Sequence, residues 1–210
     1  MNYYTQQKKG VRPRVSKVRK NSFFAVFFRQ KYINRWGLMR NVINENLSTH
    51  AAEVACIAHA LAVIGNTYFG KHYDADRVTT LALYHDMPEV FTGDLPTPVK
   101  YANDALRRCY AELETKAVEQ LSDRLPDELR EQYRQLLDMS DCDAELKRLV
   151  KAADKLCALI KCIEEEKSSN NEFSSARIAT ERALEDMRFE ELDYFMDNFL
   201  PAFSGTLDEL

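Results

Sequence analysis

Apolar residues in this chain recur every three or four positions almost from end to end, and no sustained two-residue alternation interrupts them. That period is the turn of an α-helix, whereas half-buried strands alternate faces at every residue. Only six Gly and six Pro occur among the 210 residues, which leaves few helix breakers. The sequence predicts an all-α fold, a single globular helical bundle, long enough to enclose one sizeable core. Helices are expected over 22–33, from a Ser48 or Thr49 cap to about Ile64, from an Asp74 cap to Met87, and over 103–123, 126–138, 144–166 and 175–199. Pro88 disfavours helical geometry in the residue before it, and Pro126 suits a first-turn position.

Charge divides the chain unevenly. The first 44 residues hold 11 Lys/Arg and no acid, and the remainder holds 18 basic against 33 acidic side chains, a net of −15. Residues 1–21 therefore read as a basic arm with little to bury, ahead of a folded unit over 22–210. A basic arm can touch nucleic acid or anionic lipid, but a solvated extension is the simpler account, and the acidic body repels phosphate backbones. The arm lacks the apolar stretch of a secretory signal, and though acid-poor it is not Ser-rich as an organellar transit peptide is. No apolar run approaches the roughly 20 residues that span a bilayer. The five cysteines form no CxxC pair. Cys56, Cys157 and Cys162 lie in apolar helical patterns and read as reduced core thiols of a cytoplasmic protein. Phe23, Phe24, Phe27 and Phe28 fit either core or an interface, with core the simpler reading.

Polar residues on the apolar stripes carry the chemistry. His50 is four residues before Val54 on the face made by Val54, Ile57, Leu61 and Ile64. His85 follows Val78, Leu81 and Ala82 on the next helix, with Asp86 beside it. Asp154 lies between Val150 and Cys157 on a third. Singly, each has a plain account: a hydrogen-bonded core His, a solvated Asp near Lys151 and Lys155, a polar helix end. Together they place two carboxylates inward with no basic residue on the same stripes, at a cost of several kcal/mol unless a cation is bound. Two imidazoles and two carboxylates suit a divalent transition metal, and a helix C-terminus at His85–Asp86 favours positive charge. His59 and His72 fall off these faces.

The spaced pattern His50, His85–Asp86, Asp154 resembles the HD-domain metal-dependent phosphohydrolases. The stretches INRWGLMRN (33–41), ENLSTH (45–50), YHDMPEVFTGDLPTPVKY (84–101), KAADKLCALIKCIEE (151–165) and NNEF (170–173) are similar to the bacterial 5′-deoxynucleotidases of that superfamily, from about residue 22 onward. The resemblance implies an HD-domain helical bundle, homodimeric and cytoplasmic, that removes phosphate from deoxyribonucleoside 5′-monophosphates with one divalent cation such as Co, Mn or Mg. It implies His50, His85, Asp86 and Asp154 as metal ligands, with His50, Asp86 and Asp154 also near substrate. Arg35 would orient the phosphate, Trp36 would contact substrate, and Glu89, Asp94, Leu95, Pro96 and Thr97 would line the pocket. Met87 and Pro88 depart from the family, which usually has a small residue there.

On this reading Glu89 positions water or protonates the leaving oxygen, Trp36 walls the sugar against a 2′-hydroxyl, and Asp94 accepts from the 3′-hydroxyl. Two alternatives stay open. Another HD phosphohydrolase would act on triphosphates, cyclic nucleotides or guanosine tetraphosphate, although the motif regions offer few cations beyond Arg35, Arg40 and Lys100 for a larger phosphate load. A non-catalytic module would bind nucleotide or protein without turnover. A nucleic-acid partner is the weakest option.

Overall fold

In a computed structural model, the chain is described over residues 20–100, 102–140 and 142–209. The expected basic arm lies outside these residues except for Lys20 and Asn21. No strand forms among the described residues; an isolated antiparallel bridge joins Asn34 to Asn46. The helices are α1 (Phe23–Phe27), α2 (Leu47–Tyr68), α3 (Ala75–Tyr84), α4 (Glu89–Thr92), α5 (Thr97–Lys100), α6 (Asp104–Ser122), α7 (Asp127–Leu137), α8 (Ala144–Lys167), α9 (Ser174–Met187) and α10 (Glu190–Asn198).

α2 is the central rod, packed by α3, α8 and α10. Its N-cap is Asn46, whose side-chain oxygen accepts from the amides of Ser48 and Thr49. The expected caps are thus the capped residues: Asn46 has the extended backbone that frees its side chain to reach forward. By length and composition α2 could cross a membrane, contrary to the sequence expectation. Here it is a core helix whose Val54, Ala58, Leu61 and Ala62 are sealed by its neighbours. Cys56 is exposed, so only Cys157 and Cys162 are core thiols; position 56 points away from the face shared by Val54 and Leu61.

The expected helix 22–33 is one α-helical turn followed by a 3-10 stretch over Phe28–Tyr32. Of its aromatics, Phe23 is buried, Phe27 is half-buried, and Phe24 and Phe28 are exposed. Too short for a continuous stripe, the segment buries one ring fully. Phe23 joins Met87, Val118, Leu121, Leu125 and Leu137 in a second apolar cluster. The 175–199 helix is broken at Arg188–Phe189, where Phe189 is extended. The break lets α9 lie along α8 and α10 along α2, and it turns Phe189 onto the core beneath the Arg148 guanidinium, 4.5 Å from the ring.

α10 comes closest to α2 at Gly65. A Cβ there would stand 2.6 Å from the Tyr73 ring and 2.8 Å from Glu191 Oε1, and those two groups are bonded to each other through the Tyr73 hydroxyl. Gly65→Ala is therefore expected to destabilise the fold by about 1–3 kcal/mol through overpacking, despite the better helix propensity of Ala. A urea titration with unchanged slope and a lower midpoint is the measurement; a higher midpoint would contradict the close approach.

Candidate metal centre

The centre forms where α2, α3 and α8 converge. His50 lies in the first turn of α2, His85 caps the C-terminus of α3 with Asp86 following, and Asp154 lies on α8. One donor atom from each of the four lies within 4.8 Å of the others. His50 Nε2 is 3.1 Å from Asp154 Oδ1 and 3.5 Å from Asp86 Oδ2. His85 Nε2 approaches Asp86 Oδ2 at 3.1 Å without hydrogen-bond alignment, leaving a buried nitrogen with no bonded partner.

Both rings are steered from behind. The Nδ1–H of His85 donates to the Ala82 carbonyl at 2.6 Å. His50 Nδ1 faces the Glu45 carboxylate, 3.1 Å from Oε1 at ion-pair distance without hydrogen-bond alignment. Each ring thus presents Nε2 to the same point, as a metal-binding histidine requires. The donor set and the partnerless Nε2 of His85 fit a divalent transition cation. The end of α3 adds the negative pole of its dipole.

Charge inside the cluster is strongly perturbed. Burial alone would favour neutral His50, but its contacts with Asp154 and Glu45 outweigh burial and raise it to about 9. Asp154 is held well below the usual carboxylate range: burial opposes this, yet the bond to His50 and the Lys155 ammonium prevail. Two cations unseen in the stripe pattern balance the carboxylates: Arg35 Nη1, 3.3 Å from the Asp86 Oδ2 that also faces both histidines, and Lys155 Nζ, 3.2 Å from the outer oxygen of Asp154, Oδ2. Arg35 arrives from a distant loop, so no helical periodicity could register it.

That loop, residues 34–45, brings Arg35 and Trp36 to the site. It is closed by the Arg35 amide donating to the Glu45 carbonyl and the Leu47 amide to that of Ile33. Trp36 adopts a left-handed backbone, φ +58°, a conformation a bulky side chain holds only where its surroundings enforce it. Here they do. Its indole N–H donates to Glu45 Oε2 at 2.6 Å, and its ring packs on Phe173, centroids 5.3 Å apart. From the other side, Glu165, fully buried on α8, accepts from the amides of Val42 and Ile43, from Lys161 and from Asn170. Asn170 in turn donates to the Arg40 carbonyl at 2.7 Å. Asn170 can turn back because α8 ends with Ser169 in the left-handed region and the Asn170 amide bonded to Glu165 O. The NNEF stretch is thus a brace for the Arg35–Trp36 loop.

On the opposite wall, Pro88 heads α4, where it forfeits no helical N–H, and fully buried Met87 anchors the turn in the second cluster. Glu89 in α4 is buried, and its Oε2 has no hydrogen-bond partner. Burial, then the charges of Asp86 and Asp94, push its carboxyl up to about 9. Burial also raises Asp94, with Arg35 opposing. Leu95 and Pro96 continue the loop half-buried, and Thr97 is exposed at the start of α5. His59 and His72 are exposed, as their positions off the stripes predicted. Glu45, Lys155 and Glu165 were missed as site residues; only the quoted ENLSTH stretch pointed towards Glu45.

The family model described as 5′-deoxynucleotidase YfbR-like matches residues 22–203. A 5′-deoxynucleotidase of Enterobacter sp. (strain 638) is 50% identical over 188 residues, covering 90% of this chain and 94% of that protein. The 5′-deoxynucleotidase YfbR of Escherichia coli (strain K12 / DH10B) is 49% identical over 193 residues, covering 92% and 97%. Among solved structures, an HD-domain phosphohydrolase from Listeria innocua superposes with TM-score 0.77 at 24% identity, covering 87% of this chain and 88% of the other. A cyanophage S-2L HD phosphohydrolase, described as bound to dA and one catalytic Zn²⁺, superposes with TM-score 0.60 at 19% identity, covering 87% and 96%.

Proposed function

The chain belongs to the YfbR-like 5′-deoxynucleotidase family, and from that premise we propose that it hydrolyses deoxyribonucleoside 5′-monophosphates to deoxyribonucleosides and inorganic phosphate at the His50–His85–Asp86–Asp154 centre. One observation carries the assignment of the site: four donor atoms from α2, from the turn that ends α3 and from α8 meet within 4.8 Å, beside the Arg35 guanidinium and the buried acid Glu89. His50, His85, Asp86 and Asp154 would hold one divalent cation. When bound, it supplies Lewis acidity that lowers the pKa of water towards neutrality and draws charge from phosphoryl oxygens.

The side chains do the rest. Arg35 is held between two carboxylates, Nε 3.2 Å from Glu45 Oε1 and Nη1 3.3 Å from Asp86 Oδ2, and its Nη2 edge leads the planar guanidinium onto the phosphate. The Glu89 carboxyl, pushed up to about 9 by burial and by Asp86 and Asp94, has one oxygen, Oε2, without a hydrogen-bond partner; as the neutral acid it delivers a proton to the departing 5′-oxygen. Trp36, pinned by Glu45 and Phe173, is a rigid wall against the sugar and rejects a 2′-hydroxyl sterically. Asp94 accepts from the 3′-hydroxyl, and Leu95, Pro96 and Thr97 continue the pocket rim. We extend the reading to a homodimer in the cytoplasm on family resemblance alone.

The test is release of inorganic phosphate from ribo- and deoxyribonucleoside 5′-monophosphates with Mn²⁺, Co²⁺, Mg²⁺ and Zn²⁺ in turn. dAMP is expected to exceed AMP by at least about tenfold in kcat/KM, roughly 1.4 kcal/mol of steric discrimination. Equal rates would remove the role given to Trp36, and no release with any cation would remove the function.

A further inference from the structure

Glu45 meets both halves of the site at once. Its carboxylate is buried, 8% exposed: Oε2 accepts from Trp36 Nε1 at 2.6 Å, and Oε1 stands at ion-pair distance, without hydrogen-bond alignment, from His50 Nδ1 at 3.1 Å and Arg35 Nε at 3.2 Å. Its carbonyl also accepts from the Arg35 amide at 3.0 Å. We propose that Glu45 is the positioning residue that couples the cation centre to the substrate loop, fixing the His50 ring, the Arg35 fork and the Trp36 wall through one carboxylate. This deepens the deoxynucleotidase reading and rests on it.

A histidine offers Nε2 to a cation only while Nδ1 carries its hydrogen, and an acceptor behind Nδ1 enforces that tautomer. The acceptor that orients His50 also orients Arg35 and Trp36, so the three cannot reorient independently. A cation on Nε2 would polarise the Nδ1–H group, strengthen its attraction to Oε1, and through that oxygen alter the contacts with Arg35 and, across the carboxylate, with Trp36. No helix links these residues more directly, since Arg35 and Trp36 lie in a loop and Glu45 precedes α2. All three side-chain partners are donors. A glutamine therefore cannot replace the carboxylate, because its amide nitrogen would confront an N–H on one side or the other.

Trp36 is the sole tryptophan of the chain, so its fluorescence reports this node without a label. In the wild type, Zn²⁺ is expected to change Trp36 emission saturably, with the same Kd as calorimetry gives. Glu45→Gln is expected to weaken Zn²⁺ binding 10–100-fold, alter the visible spectrum of the Co²⁺ form, and shrink the emission response. At saturating cation it should raise KM for dAMP and lower the dAMP-to-AMP ratio of kcat/KM, with native circular dichroism. Glu45→Asp, which keeps the charge but withdraws it by one methylene, should lie between. Unchanged Zn²⁺ affinity in natively folded Glu45→Gln overturns the proposal. If neither variant folds, the wild-type measurement decides: Zn²⁺ binding with no change in Trp36 emission overturns it equally. A wild type that binds no cation or releases no phosphate from dAMP instead sinks the deoxynucleotidase reading.

Discussion

Replacing Asp154 by Ala is expected to abolish cation binding and deoxynucleotidase turnover while leaving the helical circular dichroism intact. Asp154 supplies a full charge to His50 from the middle of α8, where its backbone is secured by a helix that does not need the side chain. Ala at this position removes one of four donors and the group that most strongly offsets burial at His50. Losing metal-ion stabilisation costs several kcal/mol in the transition state, at least about three orders of magnitude in rate. The wild-type protein should show a companion effect. Protons and the cation compete for the same nitrogens, so cation affinity should strengthen as pH rises towards about 9, where His50 loses its proton. Turnover retained by the Ala variant, with cation content measured in the same sample, would refute the ligand role.

Glu89→Gln is the second large effect, and it separates activity from stability. As proton donor to the leaving oxygen, Glu89 should be worth about 10²–10⁴ in kcat, and the variant should lose the alkaline limb of the pH–rate profile. Stability should move the other way. The Glu89 carboxyl titrates near 9 in the fold but near 4.3 in an open chain, so between those values the folded protein holds a proton that the unfolded chain has released. Stability contributed by the neutral acid is present below the open-chain pKa and declines as pH rises towards 9. Gln is neutral throughout. The cation-free variant should therefore melt higher than the cation-free wild type at pH 8 and nearly equal to it at pH 4. Full kcat in the variant would remove Glu89 from proton transfer; a lower melting point at pH 8 would show that its burial is not a cost.

The residues that could be read in advance are those that interrupt a period. His50, His85 and Asp154 stand where the helical repeat demands an apolar side chain, and the fold brings them, with Asp86, to one point. The all-helical bundle was legible for the same reason. Glu45 carries no such mark: it lies before its helix, and its partners include Arg35 and Trp36, a loop's width away. Arg35 and Trp36 themselves came from family resemblance. The break at Arg188–Phe189 escaped the pattern because apolar spacing continues across it; the need to cover both α8 and α2 decides it. Cys56 was misjudged because an apolar neighbourhood in sequence does not say which side of α2 a thiol occupies.

The second apolar cluster gives the beginning of the described chain a meaning that its composition conceals. Phe23 is lodged in the same cluster as Met87, the next residue after Asp86, so the foundation under the reactive pair is partly supplied by a segment immediately downstream of the basic extension. Anything that pulls on the chain at Phe23 acts on the floor beneath Asp86.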